Sequence, residues 1–280
     1  MKIAEKLIIK YKEYLIEEEK SESTIEKYIR DVTAFSEWVG DVEITKTRVL
    51  DYKKELVEKY TPATVNSIIA ALNGFFDYNE WYGLKVKSLK LQQALFCQSD
   101  KELSKNEYER LLKAAKDKKN ERLYLIMQTI CSTGIRVSEL KYVTVEAVQQ
   151  GQAIVKLKGK IRVVIFTKDL CRVLNKYIQE QGINEGAVFV TRTGKVVDRY
   201  SIWKSMKNLC KSAGVNPEKV FPHNLRHLFA RTFYGLQKDI VRLADILGHS
   251  SVNTTRIYTI ENGDMHRSQM HRLGLVRMNV

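Results

Sequence analysis

A mainly α-helical chain in two parts, the second carrying a small antiparallel β-sheet, is the fold class that three features of the sequence predict. Apolar residues recur at helical spacing through the first 80 or so positions. One central stretch changes to strand-like alternation around a Lys-Gly-Lys turn, and helical spacing then returns. The 280 residues, 44% of them hydrophobic, suffice for two domains with separate cores.

Residues 3–19 set Ile3, Leu7, Ile8, Tyr11, Tyr14 and Leu15 on one helical face. Ser23 and Glu26 have capping-box spacing, and Ile25, Tyr28, Ile29, Val32, Phe35 and Trp38 carry a second apolar face to Gly40. A third helix is expected from about Lys46 to Tyr60. Thr61 and Pro62 supply an N-cap and a first-turn proline for a fourth helix, lined by Val65, Ile68, Ile69, Leu72, Phe75, Phe76 and Trp81. Residues 1–84 are thus expected to be a four-helix domain. The period fails over 85–101, which reads as a linker whose Lys85, Lys87 and Lys90 suit chain crossing a phosphate backbone. A second capping box, Ser104 with Glu107, opens a domain over 102–280. Helices run to about Thr133, where Gly134 breaks the pattern. Strands are expected at 141–147, 153–157 and 162–166, and helices at 168–181, 199–213, 223–236, 238–247 and 251–258.

Composition removes several classes of function. No apolar run reaches the ~18–20 residues of a membrane span, and the opening Met1-Lys2-Ile3-Ala4-Glu5-Lys6 has no apolar signal core, so secretion is not expected. Cys97, Cys131, Cys171 and Cys210 lie far apart with no C-x-x-C pair, which suits a reducing cytoplasm and offers no ready metal site. Phosphate-loop, dinucleotide and H-E-x-x-H signatures are missing. The net charge of +14 is uneven: residues 1–100 hold 15 Lys and Arg against 17 Asp and Glu, residues 101–280 hold 32 against 16. A basic excess confined to one part points to a polyanion, most often nucleic acid. An anionic membrane would call for a basic amphipathic anchor, and none is found.

The polar landmarks cluster late. They are Gly134-Ile135-Arg136-Val137-Ser138-Glu139-Leu140, the turn Lys158-Gly159-Lys160, His223-Asn224-Leu225-Arg226-His227, and Leu247-Gly248-His249, with Tyr258 nine residues after that histidine. Breaking a phosphodiester without a metal needs cations on the nonbridging oxygens as charge builds. Arginine suits this through its permanent charge and planar fork. His223 and Arg226, three apart, share a helix face, and Pro222 places them in a first turn, where free N–H groups and the helix dipole favour an anion. Each residue alone has a plainer reading. Arg136 would pair with Glu139 at the surface, His223 and His227 would be capping or half-buried histidines, and Tyr258 would pack its ring like most of the 14 tyrosines. A phenol with pKa near ~10 needs neighbouring cations before it attacks. Tyr234, the nearest competitor, lies in an apolar helix with Phe229, Phe233 and Leu236 and reads as core.

Taken together and in this order, the motifs resemble the tyrosine recombinase family, the phage integrases and Xer-type DNA-breaking and rejoining enzymes. The resemblance spans nearly the whole chain: 1–84 with the linker is similar to the family's core-DNA-binding domain, and 102–280 to its catalytic domain. It implies that Tyr258 attacks the scissile phosphate to form a 3′-phosphotyrosyl link, while Arg136, His223, Arg226 and His249 hold that phosphate. Lys158 would protonate the departing 5′ oxygen, as the family's hairpin lysine does. The hairpin is shorter than the family's usual G-K-G-x-K-x-R turn, so Lys158 and Lys160 both stay open for that role. Glu139 would support the arginine and histidine. Lys85, Lys87, Lys90, Lys160 and Arg162 would contact DNA.

The same resemblance implies no cofactor, no metal and no ATP. Its partners would be double-stranded DNA with paired recombination sites and a homotetramer, one dimer per site, exchanging strands through a Holliday junction. Accessory DNA-binding proteins stay open, and the expected location is the cytoplasm, on the bacterial nucleoid. A mobile-element integrase and an Xer-like resolvase both fit, and without an added N-terminal arm-binding domain a simple-site enzyme is expected. The alternatives are a catalytically silent DNA-binding protein of the same fold and a type IB-like topoisomerase. After Tyr258, Met265, Gln269, Met270, Leu273 and Val276 fall near one helical face. This amphipathic tail would pack on its own domain or, by family habit, on a neighbouring subunit.

Overall fold

The computed structural model describes residues 3–90, 101–157, 160–258 and 271–273. The chain divides into two compact units, Met1–Gln93 and Ala94–Val280. The expected tail and the hairpin tip with Lys158 lie outside the described residues, apart from 271–273. Among the described residues no helix is long and apolar enough to cross a membrane.

The first unit holds the four expected helices: α1 (Glu5–Glu17), α2 (Glu22–Val39), α3 (Lys46–Lys59) and α4 (Pro62–Tyr78). Ser21, not Ser23, stands at the N-cap of α2, so Ser23 already lies in the first turn. The core is aromatic. Tyr11 meets Phe75 edge-on at 5.3 Å and Phe35 meets Phe76 at 6.0 Å, all four rings buried. Such pairs contribute roughly 0.5–1.5 kcal/mol beyond the area they bury. One carboxylate, Asp31, is buried with them and accepts from Lys27 Nζ at 2.6 Å and Arg30 Nη2 at 3.2 Å.

The start of the expected linker is held on α4. The Asn73 amide accepts from the Val86 N–H at 3.0 Å and donates to its carbonyl at 2.9 Å. Asn66 does the same for Leu89, at 2.7 and 2.9 Å. Two side-chain amides thus satisfy an extended backbone that would otherwise need a strand partner. Lys85 pairs with Asp77 at 2.7 Å, while Lys87 and Lys90 are exposed.

In the second unit Ser104 and Glu107 form the expected capping box of α5 (Lys105–Asp117). The core gathers round α6 (Glu121–Thr133) and the later α11 (Pro222–Gln237), with Leu123, Ile126, Ile130, Leu225 and Leu228 buried. Strand β1 (Gln152–Leu157) pairs antiparallel with β2 (Lys160–Ile165), from Gln152 opposite Ile165 to Leu157 opposite Lys160. The pleat turns Ala153, Val155 and Val164 inward and leaves Ile154, Val163 and Ile165 exposed.

The strand expected at 141–147 does not form. Thr144 accepts from the Ala147 N–H at 3.1 Å and caps a short helix, α7 (Val145–Gln150), which Gly151 closes. A capping hydroxyl outweighs the β-branched run there. After α8 (Lys168–Glu180), the helix expected at 199–213 splits into α9 (Arg199–Lys207) and α10 (Cys210–Ala213). Then come α11, α12 (Ile240–Leu247) and α13 (Val252–Thr255), followed by a 3-10 turn at Arg256–Tyr258.

Candidate active site

Two helix ends build the site. α6 stops at Gly134 (φ +65°), where a Cβ would stand 2.5 Å from a ring carbon of Phe229. α12 stops at Gly248 (φ +63°), where a Cβ would stand 2.3 Å from Cδ of Arg162. The left-handed turn and the close approach both require glycine.

Those ends supply carbonyls to arginines. Arg226, on the first turns of α11, is 2% exposed. It donates to the Gly134 carbonyl at 2.5 Å and the Leu247 carbonyl at 2.8 Å. Its Nη2 also lies 3.0 Å from His249 Nε2. Arg162 donates to the Ile246 carbonyl at 2.7 Å, and Arg136 to the Gly248 carbonyl at 3.4 Å. Three successive carbonyls closing α12 thus each receive a different arginine, where the negative end of the helix dipole favours cations. Burial and the Arg136 charge pull the Arg226 pKa down to about 10, which leaves it charged at neutral pH.

Glu139 binds the group from beneath and is 1% exposed. It accepts from the Arg136 N–H at 2.9 Å, from Arg136 Nη1 at 2.8 Å and from Arg162 Nη2 at 2.5 Å. Burial works to raise its carboxyl pKa, but the Arg136 N–H and the two guanidiniums outweigh that and hold it below the usual carboxylate range. The expected Arg136–Glu139 pair exists, with a buried carboxylate. Arg162, expected to contact DNA, has a side chain that is 12% exposed and is engaged by Glu139 and the Ile246 carbonyl. Arg162 shares strand parity with buried Val164, which turns it inward.

Tyr258 is 4% exposed, and rings flank it. His227 meets it edge-on at 4.8 Å, His249 lies parallel at 6.1 Å, and His223 meets His227 at 4.5 Å. Burial, then His223 and Arg226, push the His227 pKa down to about 4. Burial, then Arg226, Arg136 and Arg162, do the same for His249, also to about 4. For His223, desolvation and the charges of Arg226, Arg136 and Arg199 act in the same direction. His227 and His249 are therefore neutral at pH 7.

A cavity of about 400 Å³ opens beside this group, lined by Arg136, Ser138, Arg199, Trp203, His223 and Arg226, with no acid among its lining residues. Among the described residues no cluster of His, Cys, Asp or Glu is placed to ligate a metal ion. Of the residues expected at the site, Arg136, Glu139, His223, Arg226, His249 and Tyr258 converge. Lys158 and the Lys160 side chain lie outside the described residues, although Lys160 opens β2 opposite Leu157. Sequence reasoning reads His227 only as a capping or half-buried histidine and gives Thr255 no role. His227 lies one helical turn from His223, a spacing that signals its place; Thr255 has no such signal.

The phage integrase family profile matches residues 101–264, and the phage integrase N-terminal SAM-like domain matches 8–83. The tyrosine recombinase XerD of Vibrio cholerae is 26% identical over 260 residues, 85% of this chain and 86% of that protein. Tyrosine recombinase XerA of Thermococcus kodakarensis is 29% identical over 263 residues, 90% of each. In fold, the chain is similar to a lambda integrase tetramer bound to a Holliday junction, with TM-score 0.72, 18% identity and 90% and 76% of the two chains covered. Both parts of the chain carry the family's domains in the family's order, so it belongs to the phage integrase family and is a tyrosine recombinase, an enzyme of site-specific DNA recombination.

Proposed function

We propose that the chain cuts and rejoins double-stranded DNA at paired sites, with Tyr258 as nucleophile. The observation that carries this is the meeting of Arg136, His223, Arg226 and His249 with Tyr258 beside a cavity lined by cations. A phosphate entering there finds donors already fixed in place, so little reorganisation is needed as negative charge develops. Tyr258 Oη bonds to phosphorus, its proton passes to a neighbouring base, and the P–O5′ bond breaks. The 5′ oxygen takes a proton from Lys158, or from Lys160 if the short hairpin shifts the acid. Attack by the 5′-hydroxyl of a partner duplex reverses these steps, so the phosphotyrosyl link conserves bond energy and ATP is not consumed. The lambda integrase likeness supports a homotetramer, one dimer per site, on a Holliday junction. The basic excess of residues 101–280 and exposed Lys87 and Lys90 support phosphate contacts.

The test is a suicide duplex bearing a site selected by the protein from random DNA. The wild-type chain is expected to be trapped as a covalent adduct, and Tyr258→Phe to bind equally and trap none. An adduct with Tyr258→Phe overturns the assignment. A 5′-phosphorothiolate, whose sulfur leaves without a proton, is expected to rescue Lys158→Ala; rescue of Lys160→Ala instead moves the acid by two positions. Relaxation of a supercoiled plasmid lacking paired sites would favour the topoisomerase reading.

A further inference from the structure

We propose that Arg199 and Trp203 form a second subsite, which holds the phosphate and sugar flanking the scissile phosphate on the cleaved strand. This subsite rests on the function proposed above, in which the cavity beside Arg136, His223 and Arg226 receives the scissile phosphate. The cavity, at about 400 Å³, is too large for that group alone. Five heavy atoms, at the ~30 Å³ that a water occupies in the liquid, fill less than half of it. Arg199 and Trp203 of α9 wall the cavity, while neither His249 nor Tyr258 is among its lining residues. α9 therefore stands away from the nucleophile, at the His223 end. The electrostatics agree. Beyond burial, which lowers both pKa values, His223 feels Arg226, Arg136 and Arg199, whereas His249 feels Arg226, Arg136, Arg162 and His223.

One stripe of α9 makes this wall. Arg199, Trp203 and Lys207 recur every four residues, while Ile202 and Met206 are buried. Lys207 Nζ lies 5.5 Å from the centre of the Trp203 ring and donates to the Pro217 carbonyl, so the indole is braced from one side. Trp203 nonetheless stays 38% exposed, and the exposed Tyr200 ring lies 5.7 Å from it. Asp198, the acid beside Arg199, is occupied with its own helix. It accepts from the Ser201 N–H at 2.9 Å and from the Ser201 hydroxyl at 2.6 Å. Among the described residues no carboxylate pairs with Arg199, whereas Glu139 holds Arg136 and Arg162. Arg199 is exposed and keeps its planar fork for an outside anion. A braced indole next to it offers a flat apolar wall for a deoxyribose, with an edge that tolerates water.

Equilibrium affinity of the full chain for its selected duplex, measured over a range of salt, tests the subsite. Arg199→Gln is expected to weaken binding on the order of 10-fold, the scale of one hydrogen bond to a charged group. Its salt slope should fall by about one counterion. Trp203→Ala is expected to weaken binding as well but to keep the slope, because no charge is lost. A neutral methylphosphonate on either side of the scissile phosphate then locates the contact. At one of these two positions it should weaken wild type and cost Arg199→Gln nothing further, the non-additivity of a direct pair. At the scissile phosphate it should weaken both proteins alike. Additive losses at both flanks, or an unchanged slope in Arg199→Gln, overturn the subsite. Coupling at the scissile phosphate instead also overturns it, and Trp203→Ala binding as tightly as wild type removes the indole from it. If wild type traps no phosphotyrosyl adduct, the catalytic reading falls, while these affinities still decide the contact.

Discussion

Asp31 in the first unit and Glu139 in the second are the two buried carboxylates among the described residues, and each is held by two cations. The chemistry is the same and the wiring differs. Asp31 takes Lys27 and Arg30 from its own helix, and both cations stay wetted, with side chains 30% and 73% exposed. Glu139 takes Arg136 from three residues away and Arg162 from β2, and Arg162 continues to the last turn of α12. The Asp31 pair secures α2 and reaches α4 only through Lys27, which also donates to the Ser67 carbonyl at 3.1 Å. A carboxylate bonded across three elements fixes the distance between a hairpin, an active-site arginine and a helix end.

The sharpest way to break the comparison is to remove both charges in turn. Glu139→Gln leaves Arg162, 12% exposed, and the half-buried Arg136 without their buried anion and should cost about 3–5 kcal/mol, the usual result of breaking a buried pair. Urea denaturation measures this, and single-turnover cleavage should fall by ~10² or more as Arg136 loses its seat. A stability loss no larger than that of an exposed pair would place Glu139 on the same footing as Asp31.

Arg162→Lys comes next. It keeps the charge but cannot reach Glu139 and the Ile246 carbonyl together, so a loss of about 1.5–3 kcal/mol is expected, the worth of a hydrogen bond to a charged group. The charge-removing Arg162→Gln should keep the salt dependence of DNA affinity, and a slope reduced by about one counterion would mean that Arg162 touches phosphate after all.

The third test uses pH. His227 and His249 are held near 4 against 6.5 in an unfolded chain. As pH falls from about 6.5 towards 4, the unfolded chain takes up protons that the folded one refuses, so stability falls through that window and levels off below it. Glu139, whose pKa is lowered, adds a further loss only below its ordinary value of 4.5. All five histidines lie beyond residue 93. Hydrogen exchange, corrected for intrinsic rates, should therefore show protection weakening in the second unit while the first holds. His227→Gln should flatten the slope.

Asp31→Asn is the mildest test. It keeps the shape and some hydrogen bonding and should cost ~1 kcal/mol or less, because its partners are solvated. Cleavage by this variant should match wild type.

The helices and most of the site residues are legible in the sequence because both depend on spacing along a helix. Apolar residues three and four apart define α1 to α4, and His223 and Arg226 meet for the same geometric reason. The missing parts depend on contacts distant in sequence. Glu139 and Arg162 lie 23 residues apart, so a hairpin arginine reads as solvent-facing until β2 parity sets it beside Val164. Asn66 and Asn73 look like ordinary helix-surface amides until residues 85–90 return to them. At 141–147 two local rules compete, and the Thr144 cap prevails over strand propensity. Ser21 takes the N-cap position two residues ahead of Ser23, although its hydroxyl makes no capping bond to a backbone N–H.

The three carbonyls that close α12 have a consequence for mutational tolerance. Main-chain oxygens survive every side-chain substitution, so the seats of Arg162, Arg226 and Arg136 at residues 246, 247 and 248 cannot be deleted by changing one anchor residue. They can only be moved, and because the three oxygens are covalently consecutive they move as one. The spacing among the arginines is thereby protected, and the vulnerability is concentrated in Gly248, whose left-handed turn aims the last carbonyl and leaves room for Arg162. Drift in the surrounding sequence is expected to leave the arginine set coherent, and a side chain at that single glycine to disturb all three at once.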